Sequence, residues 1–424
     1  MQKIYLLWVL FLFAVQIQAQ PSSKNINLRV FLDCQAYCDQ DFIKREINYV
    51  DYVNDRFQSN VFVLVTSQET GSGGREYKLQ FSGQGRFEGM KDTISYIRPA
   101  TATDDEDRRQ AAEKIKLGLL PFILKTEKAK DLVISFKNTV ENAPSTGTAP
   151  SEDPWNFWVF NINLRGYFSG DKNYSSNNLS SSLSADRVTD KLKTNLSASI
   201  NHSTNRYGEG ENEFKFSNRQ YNFNNLTVWS VTDHLSLGGY FNVQRADFSN
   251  YDLTASISPA IEYNLFPYKQ SNTSYVGLMY KAGPRYFNYK EETIYNQLEE
   301  LRFQHTLSLD LSFNQKWGQV SGSTSYSQFF HDFGKDRLSF SGNADIRIFK
   351  GLSFNVGGYY AYQRDQLNIV KGEVSDEDLF TRRRQLNSNY DFFFNFGIRY
   401  RFGSIFNNVV NPRFEGGGGS FFFF

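Results

Sequence analysis

The sequence predicts a two-part protein: a small α+β domain followed by an all-β antiparallel up-and-down barrel of about twelve strands. Three observations carry this. Residues 25–136 mix helical and strand periodicities, residues 155–402 show dyad alternation alone, and a Pro-, Ser-, Thr- and Gly-rich stretch, residues 137–154, lies between them as a linker.

Composition narrows the class. The chain has 424 residues, and its 46 Lys+Arg nearly cancel its 45 Asp+Glu, so no global charge points to nucleic acid. Aromatic residues make up 17% of the chain, with 40 Phe and 25 Tyr, which argues against disorder. No apolar run long enough for a membrane helix follows the first twenty positions. Those positions read as an export signal: Lys3 precedes an apolar core from Ile4 to Val15, and "IQAQ" offers cleavage after Ala19. Residues 1–19 are therefore expected to be removed as the chain leaves the cytoplasm. No Cys stands directly after that point, so a lipid anchor is not expected.

In the first domain, "INLRVFLDC" predicts a strand, and Phe42, Ile43, Ile47, Val50 and Val53 then fall at helical spacing. "NVFVLVTSQ" and "REYKLQFSG" predict two strands joined across a Gly-rich turn. "TGSGGRE" has the glycines of a phosphate loop, but it precedes a strand and lacks the Gly-Lys-Ser/Thr ending, so it reads as that hairpin turn. A strand around "DTISYIRP" leads to a second helix, opened by Thr103 and Glu106 in capping-box spacing. "DLVISF" is expected to close the domain as a buried strand.

From Trp155 the period is two. "HTLSLDLSFNQKW" sets Leu307, Leu309, Leu311 and Phe313 against Thr306, Ser308, Asp310 and Ser312. "DFFFNFGIRYRF" sets Phe392, Phe394, Phe396, Ile398, Tyr400 and Phe402 against Asn395, Arg399 and Arg401. Tight turns at "VTDKL", "VTDHL", "KWGQV" and "FKGL" alternate with long polar loops such as "SGDKNYSSNN" and "IVKGEVSDEDLFTRRRQLNSN". Charges at every second position suit a wet lumen, and apolar partners flanked by Tyr, Trp and Phe suit lipid. The barrel is therefore expected to be transmembrane. A soluble sandwich would hide its apolar face and show no such asymmetry between its ends.

The segment "FGIRYRF" resembles the C-terminal insertion signal of Gram-negative outer-membrane β-barrel proteins, with Phe396, Ile398, Tyr400 and Phe402 as its alternating residues. The resemblance spans residues 155–402 and is architectural. It implies outer-membrane lipid and the barrel-assembly machinery as partners, and it places the N-terminal domain in the periplasm. Phe402 is not terminal here. Residues 403–424 form a Gly/Phe tail, whose tip, Phe421 to Phe424, reads either as a docking element or as a plain periplasmic extension.

Candidate sites are few. Lys193, Lys316, Arg347, Arg399 and Arg401 are expected as a lumenal basic cluster, with Glu262, Asp310 and Asp345 as lumenal acids. Together they read either as a constriction favouring anions or as a salt-bridge network filling a narrow lumen. Cys34 and Cys38 are the only cysteines. They suit a local disulfide or structural thiols, whereas a metal site would need ligands that are not nearby. No metal or cofactor is expected. His234 and Ser236 resemble the His-x-Ser pair of outer-membrane phospholipases, with no Asn assignable as third partner, so no catalytic residue is assigned. The expected function is a narrow channel for solutes with a periplasmic docking or gating domain. The alternatives are a non-conducting envelope scaffold that binds a periplasmic protein and, more weakly, an outer-membrane hydrolase.

Overall fold

The computed structural model describes residues 27–71, 73–133, 153–208, 213–349, 351–372 and 384–403. The expected leader 1–19, nearly all of the expected linker and the tail beyond Gly403 lie outside the described residues.

The first domain is a five-stranded sheet in the order β2-β1-β3-β4-β5, with β1 Arg29–Cys34, β2 Asp51–Tyr52, β3 Val61–Glu69, β4 Arg75–Gly83 and β5 Lys91–Arg98. β1 pairs in parallel with β2 and β3, and β3, β4 and β5 form an antiparallel meander. Helices α1 (Gln40–Glu46) and α2 (Asp104–Ile123) cover one face. Asp39 caps α1, its side chain accepting from the Phe42 amide, and the Thr103/Glu106 capping box opens α2 with both reciprocal bonds made.

Two local expectations are corrected. The first helix stops at Glu46. Val50 and Val53 are buried, but around the short strand β2, which adds to the open edge of β1 and satisfies it. "DLVISF" is not a strand where it is described, since Asp131 ends a 3-10 turn and Val133 is 90% exposed. Its remaining residues lie outside the described ones. On the other sheet edge, β5 is the outermost strand.

Within the core, Gly118 of α2 lies directly on the ring of Phe81; a Cβ there would sit 2.1 Å from two ring carbons. Gly118→Ala gains about 1 kcal/mol of helix propensity but overpacks a filled core at a cost of about 1–3 kcal/mol. The expected result is a net loss of about 1 kcal/mol, checked by hydrogen exchange of the α2 amides in the full chain.

The second part is a single antiparallel sheet of twelve consecutive strands, β6 (Trp158–Gly170) through β17 (Tyr390–Tyr400), each paired with its chain neighbours. The strands run from 11 residues in β17 to 18 in β15, at or beyond the roughly 9–11 that cross a bilayer. The sheet curves so strongly that β9 through β15 line one shared cavity. No ladder joins β6 to β17 among the described residues, so the structure shows an up-and-down barrel wall with two strand edges. An even strand count makes β6 and β17 antiparallel, the orientation in which such edges can pair.

The loop asymmetry is smaller than expected. "SGDKNYSSNN" is mostly strand, leaving only residues 171–173 as its turn, while residues 265–273 make a longer connection at the opposite end. Ser and Asn sit comfortably on a wet concave face, so a polar stretch can continue a strand there. One connection stands apart in length, residues 364–389 between β16 and β17.

Candidate functional site: the lumen and its two ends

Ladder register sorts every wall residue onto one of two faces. On the convex face Ile162 is 83% exposed, Phe394 64% and Ile398 71%, although all are apolar. The four described Trp side chains, Trp155, Trp158, Trp229 and Trp317, lie at the end of the wall carrying the β7–β8 and β13–β14 turns, called here the turn end. An apolar belt with Trp at its rim is the surface a bilayer selects, and water disfavours it. The concave face carries Ser, Asn, Thr, Gln and charges. The wall is thus apolar outside and polar inside.

The turn end is covered by the α/β domain. Strand β3 begins "VFVLV", and the residues of this run are buried on both faces. Val61, Val63 and Val65 pack under the helices, whereas Phe62 and Leu64, both buried, belong to the other face. That face meets the wall. Asp33, only 3% exposed, receives both terminal guanidinium nitrogens of Arg347 at the end of β15. The Arg347 guanidinium also lies 5.4 Å from the centre of the Phe31 ring, and the Lys316 ammonium lies 5.4 Å from that of Phe62. Gln35 donates to the Gln315 carbonyl at 2.9 Å, and Arg56 donates to the Lys316 carbonyl. Across the domain, Gly71 packs on Val188 at the end of β7.

A cavity of about 570 Å³ remains between domain and wall, and Lys44, Asp345, Arg347, Arg399 and Arg401 all reach it. Burial pushes the Lys44 ammonium below the usual lysine range; Asp41 opposes this and Arg401 adds to it. The structure therefore brings together three of the five expected basic residues, with Asp345 beside them. Lys316 is not on a strand but in the β13–β14 turn, against the α/β domain. Lys193 begins the inward row of β8, opposite Val188 and Val228 and apart from that cavity. Glu262 is held by the hydroxyls of Tyr268 and Tyr275, each at 3.1 Å. Asp310 is half-buried on the concave face of β13.

His234 and Ser236 are not partners. His234 Nδ1 lies 2.8 Å from the Asn264 carbonyl, and Ser236 Oγ donates to the Tyr268 hydroxyl at 3.0 Å. Cys34 and Cys38 are joined in a disulfide that ties the end of β1 to the loop before α1. Phe396, Ile398 and Tyr400 occupy the convex face of β17, and Phe402 follows the strand, 82% exposed.

The far end of the lumen is closed by a feature that composition alone hides. Residues 364–372 fold back over it: Leu367 packs with Phe287, Tyr289 and Phe329, and Tyr251 flanks them. Asn250 donates to the Asn368 carbonyl, Asn368 to that of Ser249, and Thr293 bridges Val370. Beneath this lid lies a second cavity of about 500 Å³, whose charged groups are Lys281, Arg285, Arg337 and Asp365. Sequence reading passed over Lys281 and Arg285. Their signal was the parity of "MYKAGPRYF", where Met279, Lys281, Gly283 and Arg285 share one face.

No protein-family model matches the chain, and no curated protein does. Among solved structures it is similar to the translocator domain of the autotransporter NalP from Neisseria meningitidis, at 13% identity and a TM-score of 0.24, covering 58% of this chain and 87% of that one. It is also similar to the beta domain of the Bordetella autotransporter BrkA, at 14% identity and a TM-score of 0.23, covering 58% of this chain and 98% of that one. Likenesses this distant carry no functional argument. The ladder order and the two faces of the wall do.

Proposed function

We propose that this chain is an outer-membrane barrel that passes a small polar solute, with its α/β domain docked in the periplasm as the inner gate. The observation that carries this reading is the buried Asp33–Arg347 pair. It joins a separately folded domain to the rim of a polar lumen. A domain that only needed tethering would not bury a second sheet face and an ion pair against that rim. The pair is reversible, because both groups can be hydrated if the domain swings away.

A scaffold reading has its own support, since the lumen is covered at both ends, by the α/β domain and by the lid. In that case the surface that matters is the exposed part of the α/β domain, with a periplasmic protein as its partner.

Planar-bilayer conductance separates the two. Under the passage reading the full chain is mostly closed, and a chain lacking residues 21–150 shows steady, anion-leaning openings. If both forms are silent, including after removal of residues 364–389, the passage reading fails and the scaffold reading stands.

A further inference from the structure

The cavity beneath the lid has an unbalanced charge. Lys281 and Arg285 come from β12 and Arg337 from β15, and among the described residues none of the three is ion-paired. Their contacts are neutral: Arg285 lies 3.5 Å from the Gln304 side-chain oxygen, Arg337 donates to the Tyr359 hydroxyl at 3.0 Å, and the Lys281 ammonium sits 4.5 Å above the Tyr240 ring. Among the described residues the one carboxylate lining this cavity is Asp365, which arrives on the lid and not from the wall. Around these charges stand amides and hydroxyls, among them Asn222, Asn224, Asn242, Gln244, Thr254 and Thr306.

Each part has a chemical meaning. Three cations facing a half-enclosed space in a low-dielectric wall attract an anion. A lining of amides and hydroxyls, able both to donate and to accept, matches a ligand with several hydroxyl groups. The volume falls within the range of about 300–1,000 Å³ typical of sites for one small molecule. The lid closes by adding a carboxylate to these cations and an apolar plug, Leu367, to the aromatic collar above them.

We infer that the cavity formed by Lys281, Arg285 and Arg337 binds a small carboxylated, polyhydroxylated solute such as an acidic sugar, and that Asp365 is the built-in competitor for the same cations. A solute carboxylate would take the place of the Asp365 carboxylate, and the lid, losing that attraction, would be held by Leu367, the Asn250 and Asn368 bonds and the ion pairs Arg364–Asp336 and Lys371–Glu292. The ligand thereby weakens the closure above itself. The inference rests on the passage reading for the route of entry, but the binding site itself does not require conduction.

The test is calorimetric titration of the detergent-solubilised full chain with sodium glucuronate, with glucose as the neutral comparison. Glucuronate is expected to bind at least tenfold more tightly than glucose. Asp365→Asn should tighten glucuronate binding several-fold, because the internal competitor is neutralised while its shape is kept. Arg285→Gln with Arg337→Gln should weaken it at least tenfold. Since the double variant could fail to fold, the gain in Asp365→Asn is the decisive arm, with circular dichroism checking the wall in both. Equal affinity for glucose and glucuronate, or no glucuronate binding by Asp365→Asn, overturns the inference. The two readings fail separately: binding with silent bilayers sinks passage and leaves the site, whereas conductance without glucuronate binding sinks the site and leaves passage.

Discussion

Arg347→Ala is expected to detach the α/β domain from the barrel rim, at a cost of about 3–5 kcal/mol in docking free energy. The size follows from what is left behind. Asp33 is 3% exposed, and without the guanidinium its carboxylate remains buried beside Phe31 and Leu64 with no direct ion-pair partner, Arg56 being the nearby cation left to it. Arg347 also contributes its stacking on Phe31, so more than a point charge is lost. The double variant Asp33→Ala with Arg347→Ala should be less damaging than Arg347→Ala alone, because no orphaned charge remains. Arg399→Ala, in the same cavity but without an ion-pair partner among the described residues, serves as the control and should leave docking nearly intact. Hydroxyl-radical labelling of the Phe62 and Leu64 side chains reads the effect directly, since their face opens to solvent only when the domain lifts away. Unchanged protection there in Arg347→Ala would show that the ion pair does not hold the domain.

Phe394→Arg should destabilise the barrel by about 2–4 kcal/mol, whereas Asn395→Arg, one residue on, should be close to neutral. The two positions are adjacent in the middle of β17 and oppose Gly358 and Gly357 of β16. The outward one lies in the apolar belt with Phe396 and Ile398. The inward one shares the concave face with Arg399 and Asn343, and its side chain is exposed. If the convex face were instead exposed to water, the two substitutions would not split this way. Denaturant unfolding from lipid vesicles measures both. Equal stability of the two variants would remove the membrane placement.

Much of the barrel was legible because its information is local. Face assignment depends only on i and i+2, so the inward positions of Lys193, Glu262, Asp310 and Asp345 followed from alternation within each strand. The capping box at Thr103 was legible for the same reason, as its partner is three residues away. Reading was weaker wherever a second element decides the outcome. Val50 and Val53 lie at helical spacing after Ile47, yet the unpaired edge of β1 recruits that segment as β2. The polar residues 169–178 have loop composition, yet a wet concave face lets all but 171–173 remain in strands β6 and β7.

What the sequence by itself determined is the division into two folds and the sorting of wall residues into an apolar face and a polar one. What only the tertiary structure decided is which charges meet. Asp33 and Arg347 are 314 residues apart, and no spacing rule links a strand of one domain to the rim of another. The run "VFVLV" held a hint, since an apolar stretch without alternation needs cover on both faces, but it could not name the cover. Lys281, Arg285, Arg337 and Asp365 converge only because the sheet curves and residues 364–372 fold back into it. Alternation is a property of one strand, whereas a site is a property of the enclosure that many strands make together.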